Sequence, residues 1–311
     1  MRVEGRPRKG PSFNPEAGGK SKHPPHKMKR QIIPFVWVAP VVGVITLFLL
    51  YPLFQALWDS LHAGASGSGR SFVGLNNFRE LLSTGAFLGA VHRTLTFTLA
   101  AVTLKLLIGG TAALILNRPF RGRNLLRSWL FIPWTIPLFA GGILFLWLLR
   151  MGGGLNLMLG HVGISSVFWL GPDHAMKSII FLNVWKGFPF FMITILAGLQ
   201  IIPRELYEAA QIDGATGLQQ FRYVTLPGLR NVILIASLLS TVWTFAQFEN
   251  IFVLTRGGPG TTTETLSILV YKLAFGMFNL NMGSAAAVLS LPLFLFFIFW
   301  LVKFVRKESE A

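Results

Sequence analysis

Six long apolar runs separated by short polar segments constrain this chain more than any other feature of its sequence. Each run is close to the ~20 residues that a helix needs to cross a bilayer. Only 13% of the residues are charged and 52% are hydrophobic, whereas about 25% of the residues of a soluble domain are charged. The sequence therefore predicts an all-α membrane protein with six transmembrane helices. The predicted spans lie at about 33–57, 91–116, 126–149, 177–202, 232–254 and 284–305.

The formal net charge of +16 is explained by the placement of the cations. With a cytoplasmic N-terminus, nineteen Lys and Arg residues lie on the cytoplasmic side and six on the opposite side. This asymmetry satisfies the positive-inside rule. It predicts a multi-pass protein of the cell (inner) membrane with both termini in the cytoplasm, and it places the loop 203–230 there too.

A basic tail, residues 1–31, precedes the transmembrane domain, residues 32–311. The tail holds nine Lys/Arg and two Glu with few apolar residues, so it is predicted to be disordered. Its charge suits the anionic headgroups of membrane lipid. Because it has no interleaved aromatic residues and no folded module, nucleic acid is not an expected partner.

The composition also limits the chemistry available to this chain. There is no cysteine, which excludes disulfides, thiolate metal sites and cysteine nucleophiles. The 12 acidic residues form no group with metal-ligand or nucleophile spacing. We therefore expect no catalytic residue, no metal and no cofactor within the chain.

The segment from Ile202 to Pro227 is the longest amphipathic stretch between two apolar runs. Pro203 suits the first position of a helix, and the helix dipole favours the acidic residues that follow it. A turn is predicted at Asp213-Gly214, and a second short helical piece is predicted to end near Pro227. A helix of about ten residues is marginal alone in water, so the first piece needs a surface to pack on.

This segment resembles the EAA loop of the permease subunits of ATP-binding-cassette importers, through Glu208-Ala209-Ala210, Gly214 and Leu226-Pro227. The resemblance implies the type I importer permease fold, with a cytoplasmic coupling helix that sits in a cleft of a separate ATPase subunit. It also implies two copies of that ATPase, which bind ATP and Mg, a second homologous permease and an extracytoplasmic solute-binding protein. The coupling residues implied are Glu205, Glu208, Ala209, Ala210, Asp213, Gly214, Ala215, Leu226 and Pro227.

Polar and aromatic residues of the fourth and fifth spans are candidates for a substrate path. A sugar suits such a mixture, because aromatic faces cover the C–H side of its ring while amides and carboxylates bond its hydroxyls. Each residue taken alone is better explained by packing, but as a cluster on two helices they indicate the lining of a cavity. The candidates are Asn183, Trp185, Lys186, Trp243, Gln247, Phe248, Glu249 and Asn250.

Two further features of the spans point to a polar interior. Lys105 is in the middle of the second span, where a lysine costs roughly 2.5–3.5 kcal/mol, so it should face the bundle interior or a cavity, or snorkel. Prolines interrupt several spans, among them Pro133 and Pro137. Each carbonyl freed by a proline needs a partner in the protein or a wet cavity, and such breaks are typical of transporters with a site at mid-membrane.

The residues after the fifth span, Leu254-Thr255-Arg256-Gly257-Gly258-Pro259 and later Tyr271, resemble the carbohydrate-uptake permeases related to the large maltose-permease and glycerol-phosphate-permease subunits. Arg256 departs from the small or polar residue usual at its position. The resemblance implies that this loop faces the binding protein and helps to close the outer side. The gate and contact residues implied are Gly257, Gly258, Pro259 and Tyr271.

The resulting interpretation is a permease subunit that moves a sugar or sugar derivative inward by alternating access. An ion-coupled carrier or channel for small polar solutes is the main alternative. It would need paired acids within the membrane, and only Glu249 approaches a span interior. A membrane-embedded enzyme is a third class. Glu205 and Glu208 share a helical face as a catalytic pair would, but they are predicted to face the cytosol with no pocket.

Overall fold

The computed structural model describes residues 38, 40–64 and 69–309. The tail predicted at 1–31 and the first residues of the first predicted span lie outside the described residues. The chain divides into two units, residues 1–53 and 54–311. Every feature discussed below belongs to the second unit, apart from the first part of the first helix.

Helices dominate the described structure, and six helical segments are long and apolar enough to cross a membrane. Five of them are single helices, and the sixth, Leu138–His161, is divided by a turn at residues 150–153. The six spans predicted from the sequence are therefore confirmed in number. The elements in chain order are α1 (Pro40–Ser60), β1 (His62–Ala63), β2 (Ser71–Phe72), α2 (Asn76–Ser83), α3 (Ala86–Asn117), α4 (Arg123–Thr135), α5 (Leu138–Leu149), α6 (Gly154–His161), α7 (Ala175–Ile201), α8 (Arg204–Ile212), α9 (Gly217–Phe245), α10 (Glu249–Thr255), α11 (Leu266–Gly276) and α12 (Leu280–Ser309).

The third predicted span, 126–149, differs from the structure because it is broken into two helices. α4 ends at Thr135, and α5 begins at Leu138 after a break of two residues. Ile136 has extended backbone angles (φ −68°, ψ 131°), since a residue that precedes a proline is pushed out of the helical region. Pro137 has no N–H to continue the hydrogen bonding of α4. The break leaves carbonyl groups at the end of α4 that need other partners.

The fifth predicted span, 232–254, is also interrupted. α9 ends at Phe245 and α10 begins at Glu249, so Gln247 lies between two helices. The carbonyl of Gln247 accepts a hydrogen bond from Ser267 Oγ at 2.7 Å. This contact from α11 satisfies a backbone group that the interrupted helix leaves free.

α9 begins far ahead of the apolar run and passes through Pro227, where the sequence predicted a helix end. Its start is a capping box, in which Gln219 N donates to Thr216 Oγ1 at 3.4 Å and Thr216 N donates to Gln219 Oε1 at 2.7 Å. A wide π-turn at Phe221–Thr225 lies just before the proline. Distortions of this kind accompany prolines within helices, and here the helix continues instead of ending.

The second, fourth and fifth spans pack closely. A Cβ placed on Gly109 of α3 would lie 2.6 Å from the carbonyl oxygen of Phe188 and 2.6 Å from Cβ of Phe191, both on α7. Small residues permit this approach of membrane helices. The core between α3, α7 and α9 is formed by Ala113, Leu116, Phe188, Phe191, Met192, Ile195, Leu196, Leu199, Leu229 and Ala236.

Candidate functional site

A cavity of about 460 Å³ lies where the two helix breaks meet. The α4–α5 break forms one side, and α7, α9 and the α9–α10 break form the others, with Lys105 entering from α3. Both breaks therefore occur where the backbone lines a cavity and not where it faces lipid, as the membrane environment requires. The lining residues are Lys105, Trp134, Thr135, Ile136, Pro137, Leu138, Asn183, Lys186, Gly187, Phe190, Ser240, Trp243, Thr244, Gln247 and Asn250.

One wall of the cavity is built from side-chain amides. Asn183 Nδ2 donates to Gln247 Oε1 at 3.4 Å, and Gln247 Nε2 donates to Glu249 Oε2 at 3.2 Å. Asn250 is buried to 1% exposure, yet neither its oxygen nor its nitrogen has a partner in the described structure, and Asn183 Oδ1 has none either. An unsatisfied buried polar group costs about 1–3 kcal/mol. This wall is therefore suited to a polar ligand that supplies the missing hydrogen bonds.

Three aromatic rings make another part of the cavity lining apolar. Trp134, at the end of α4, stacks on Phe190 of α7 with ring centroids 5.5 Å apart. Trp243 of α9 meets Phe190 edge-on at 5.2 Å and lies 6.2 Å from Trp134. Flat apolar faces next to unpartnered amides form an amphipathic lining of the type that orients small ligands.

Lys105 reaches the cavity from α3 and is only 4% exposed. Its Nζ donates to Thr244 Oγ1 at 2.8 Å, and the hydroxyl of Thr244 donates to the carbonyl of Ser240 at 2.6 Å. A Cβ on Gly187 would lie 2.3 Å from Lys105 Cδ, so the glycine leaves room for the lysine stem to cross α7. Of the alternatives that the sequence left open for Lys105, the structure shows that it faces a cavity.

Lys186 has a different environment, although it lines the same cavity. Its ammonium donates to the carbonyl oxygens of Pro133, at 3.4 Å, and of Ile136. These are carbonyls freed at the end of α4. A cation at a helix C-terminus is favoured both by hydrogen bonding and by the helix dipole. Lys186 therefore caps the broken helix of the third span.

The structure brings five of the eight predicted substrate-path residues to this cavity. Those five are Asn183, Lys186, Trp243, Gln247 and Asn250. Trp185 packs instead on Phe145, with ring centroids 5.1 Å apart, and Phe248 stacks on Phe252 at 5.0 Å. Glu249 is exposed and is linked to the cavity lining by the hydrogen bond that it accepts from Gln247 Nε2.

Sequence reasoning missed the contribution of the third span. Trp134, Thr135, Ile136 and Leu138 line the cavity but were not among the candidates, and neither were Phe190, Ser240 and Thr244. The proline pair of the third span was the available signal, since a broken helix within a membrane normally borders a cavity or protein interior.

The loop 203–230 contains the predicted helix–turn arrangement at its start. α8 ends in a Schellman motif, in which Ala215 N donates to Ala210 O at 2.9 Å and Gly214 N donates to Gln211 O at 3.0 Å. Gly214 has φ +76°, a conformation that favours glycine. Its position allows a side chain without contact, since nothing lies within 4 Å of a Cβ built there. Leu226 and Pro227 belong to α9 and are exposed.

No residue of α8 is buried within this chain. Apolar side chains of this helix are exposed, with Leu206 at 51% and Ile212 at 87%. A hydrogen bond between Tyr207 OH and Thr225 Oγ1 at 3.0 Å joins α8 to the π-turn of α9. The remaining predicted coupling residues are exposed at Glu205, Glu208, Ala209 and Asp213 and half-buried at Ala210 and Ala215.

The Gly-Gly-Pro loop after α10 is held firmly by threonine. Thr263 N donates to the carbonyl of Gly257 at 3.2 Å, and Thr263 Oγ1 donates to that of Gly258 at 2.8 Å. Gly257 has φ +89°, and a Cβ there would lie 2.7 Å from Cγ2 of Ile268. Arg256, whose role the sequence left open, ends α10 in a left-handed conformation, with its guanidinium 5.9 Å above the Phe252 ring.

Tyr271, another predicted gate residue, lies in an aromatic cluster near this loop. Its ring is 4.9 Å from that of Phe252, 5.2 Å from that of Phe248 and 5.5 Å from that of Phe275. These contacts link α10, which follows the α9–α10 break, to α11. Pro259, the remaining predicted gate residue, is half-buried and lies between Gly258 and Gly260.

Six candidate membrane spans, and a half-polar cavity lined by residues of α3, α4, α5, α7, α9 and α10, define a multi-pass membrane transport protein. Comparison with known proteins agrees. Residues 105–309 match the family described as binding-protein-dependent transport system inner membrane component. The chain is 36% identical over 290 residues to the trehalose/maltose transport system permease protein MalF of Thermococcus litoralis, which covers 91% of this chain and 97% of that protein. It is 32% identical over 267 residues to the sulfoquinovosyl glycerol transport system permease protein SmoG of Agrobacterium fabrum, with 85% and 87% covered.

Among solved structures, a chain of the bacterial alginate ABC transporter, determined in complex with a periplasmic protein bound to alginate pentasaccharide, superposes with a TM-score of 0.78. The identity is 23%, and 91% of this chain and 97% of that chain are covered. The fold is therefore that of the type I importer permeases, as the sequence predicted. The chain belongs to the family of inner membrane components of binding-protein-dependent transport systems.

Proposed function

We propose that this chain is the membrane subunit through which an importer passes a sugar or sugar derivative into the cytoplasm by alternating access. The observation that carries the proposal is the cavity at the two helix breaks, where aromatic rings and amide groups with unpartnered atoms line the same space. The names of the relatives, which refer to trehalose, maltose and sulfoquinovosyl glycerol, support a carbohydrate cargo.

The cavity suits a sugar on both of its sides. The rings of Trp134 and Trp243 offer flat faces for the C–H side of a pyranose. The unpartnered amide atoms of Asn183 and Asn250 accept and donate the hydrogen bonds that sugar hydroxyls need. A volume of about 460 Å³ is within the range of small-molecule sites. Movement of the two broken helices would expose this site to one side of the membrane and then to the other.

The energy for this movement would come from a partner, because transport requires ATP hydrolysis and this chain is the transport component. We assign α8 as the coupling helix that docks into a cleft of an ATP-binding-cassette ATPase. Its exposed apolar residues, Leu206 and Ile212, suit a helix-in-groove contact. Two ATPase copies would hold ATP and Mg, and a second homologous permease would complete the pathway.

This assembly implies an orientation for the chain in the cell membrane. Both termini and the loop 203–230 would lie in the cytoplasm, in accord with the distribution of Lys and Arg. The loop of Gly257, Gly258 and Pro259 would then face the extracytoplasmic solute-binding protein. Cysteine labelling at Leu218, which is 76% exposed, from each side of the membrane would test the orientation.

The coupling assignment is tested by sugar uptake and by substrate-stimulated ATPase activity of the reassembled importer. Gly214→Asp and Glu208→Lys should abolish both activities while leaving the protein inserted. An Asp side chain at Gly214 would meet no other atom, but it would strain the left-handed backbone there (φ +76°). Glu208 is exposed, so Glu208→Lys is the variant that tests coupling without strain. Glu80→Lys on α2 makes the same charge change at another exposed position and should leave uptake intact. Normal uptake by both coupling variants would refute the assignment.

A further inference from the structure

We infer that the cargo of this cavity carries a negative charge, as a carboxylate, phosphate or sulfonate on the sugar, and that Lys105 is its counter-ion. This inference rests on the proposed function, because it names the chemical class of the sugar that the cavity accepts. Its basis is the excess of positive charge around the cavity, together with the number of N–H donors that each of the two lysines leaves free for a ligand.

Lys105 has no ionic partner in the part of the chain that the structure describes. Two ion pairs of the described residues join Arg70 to Asp59 and Lys272 to Glu264, and neither involves the cavity. A lysine buried to 4% exposure at mid-membrane is costly without a counter-charge. An anionic ligand entering the cavity would provide that charge.

The hydrogen bonds of Lys105 leave room for a ligand. An ammonium group has three N–H donors, and the structure uses one of them, on Thr244 Oγ1. The hydroxyl proton of Thr244 is committed to the Ser240 carbonyl, so the threonine oxygen accepts from Lys105 and orients it. Two donors remain for the oxygen atoms of a carboxylate, phosphate or sulfonate.

Lys186, the second lysine of the cavity, has fewer N–H donors left for a ligand. Lys186 donates to two backbone carbonyls at the end of α4, which accounts for its burial and fixes its direction. It still adds positive potential to the cavity. We therefore assign Lys105 as the direct contact and Lys186 as a structural cap whose charge acts in the same sense.

No aspartate or glutamate is among the residues that line the cavity. The carboxylate nearest to the lining through hydrogen bonding is Glu249, which is exposed and bonds Gln247 Nε2. A site for a neutral sugar commonly uses carboxylates as acceptors for hydroxyl groups. Here two cations and several amides line the space, and this composition favours an acceptor-rich, anionic ligand.

A glycine of the neighbouring helix α7 makes room for the side chain of Lys105. Its stem crosses α7 at Gly187, where even a methyl group would lie 2.3 Å from Lys105 Cδ. A lysine that only needed water could turn along its own helix toward the membrane surface. The glycine instead lets the ammonium reach Thr244 in the cavity, next to the amides of Asn183 and Asn250 that would bind hydroxyl groups of the same ligand.

The test uses the reassembled importer in nanodiscs and matched pairs of sugars that differ in charge. The pairs are galacturonate with galactose, glucose phosphate with glucose, and sulfoquinovose with glucose, so that the arms separate carboxylate, phosphate and sulfonate. Binding is followed by tryptophan fluorescence, since Trp134 and Trp243 line the cavity. We expect at least one acidic sugar to bind about tenfold or more tightly than its neutral partner, because its acidic group and the buried Lys105 ammonium would form a close charge pair.

Variants then assign the preference to its residue. Lys105→Met should reduce the acidic-over-neutral preference to less than about threefold, and Lys105→Arg should retain more of it because the charge remains. Gly187→Ala should weaken the preference without removing any charge, by displacing the lysine stem. Trp129→Ala, at a position 66% exposed and away from the cavity, is the control that should leave the preference unchanged.

The outcomes separate this inference from the proposed function. If neutral sugars bind the wild-type importer as tightly as their acidic partners, the cargo is not selected for charge, and the inference fails while the sugar importer stands. If the acidic preference survives in Lys105→Met, another residue is the counter-ion and the assignment of Lys105 fails. If no sugar of either kind binds, the proposed function fails and the inference fails with it.

Discussion

Two adjacent glycines of α3 allow a quantitative test of the packing between the second and fourth spans. A Cβ on Gly109 would meet the carbonyl oxygen of Phe188 and Cβ of Phe191 at 2.6 Å, and the backbone nitrogen of Met192 at 2.9 Å. A Cβ on Gly110 would meet only Ile195 Cδ1, at 3.6 Å, which is an ordinary contact. The same substitution by alanine therefore has opposite consequences at neighbouring positions.

The magnitude follows from two terms. Replacing glycine by alanine in a helix stabilises by roughly 0.5–1 kcal/mol through the backbone entropy of the unfolded chain. At Gly109 the helices must also separate by about 1 Å to restore a normal carbon contact of about 3.5–4.0 Å. Overpacking of this kind costs about 1–3 kcal/mol. Because the entropy term is common to both variants, Gly109→Ala should be less stable than Gly110→Ala by about 1–3 kcal/mol.

The assay is reversible unfolding of the purified protein in mixed micelles with increasing SDS, followed by tryptophan fluorescence. Gly110→Ala should unfold at the same or a slightly higher SDS fraction than the wild type, and Gly109→Ala at a lower one. Equal stability of the two variants would refute the close approach of α3 and α7. A loss of stability in Gly110→Ala alone would show that the face of α3 against α7 is assigned wrongly.

Three further predictions test the site and the segment from Met151 to Trp169. Lys186→Met should lower sugar-stimulated ATPase activity, because the carbonyls at the end of α4 lose their cap. Trp243→Ala should weaken sugar binding in a fluorescence titration, whereas Trp129→Ala, at an exposed position, should not. Asn156→Leu should lower thermal stability by several degrees, since the amide bonds Met151 O at 3.1 Å, Val167 O at 3.0 Å and Trp169 Nε1 at 3.1 Å, and each buried group left unpaired costs about 1–3 kcal/mol.

The sequence predicts those features that depend on local rules. Six spans follow from the length of apolar runs, and the turn after α8 follows from Gly214, whose left-handed conformation ends the helix. The polar character of the site was also predicted, because Asn183, Gln247 and Asn250 are conspicuous in apolar spans. Lys105 could be placed in the interior by the cost of burying its charge in lipid.

Features that depend on contacts between distant segments could not be predicted. The α9–α10 break has no proline or glycine to indicate it, and it is sustained by Ser267 from another helix. Trp185 was a candidate and Trp134 was not, since a span that is apolar all round gives no sign of which face is buried. The capping role of Lys186 required knowledge that the end of α4 lies next to α7.

Two continuous helices connect α8 with the cavity in this fold. α8 lies between α7 and α9, and both of these helices line the cavity. α9 extends over 29 residues, or roughly 40 Å, and carries Ser240, Trp243 and Thr244 near its end. A Cβ on Gly228 of α9 would lie 2.8 Å from Cδ1 of Ile202, the residue that follows α7. The end of α7 and this part of α9 are therefore packed together.

Under the proposed function, a displacement of α8 by its ATPase partner would therefore move two helices that line the cavity. Coupling needs a contiguous element with two arrangements, and the π-turn at Phe221–Thr225 is the part of α9 whose hydrogen bonding departs from the regular helix. The cavity would respond most at the α4–α5 and α9–α10 breaks, because short connections between helices absorb changes of backbone angle more readily than helices do. The helix breaks thus serve two requirements at once, since they line the site with polar groups and they allow its walls to separate.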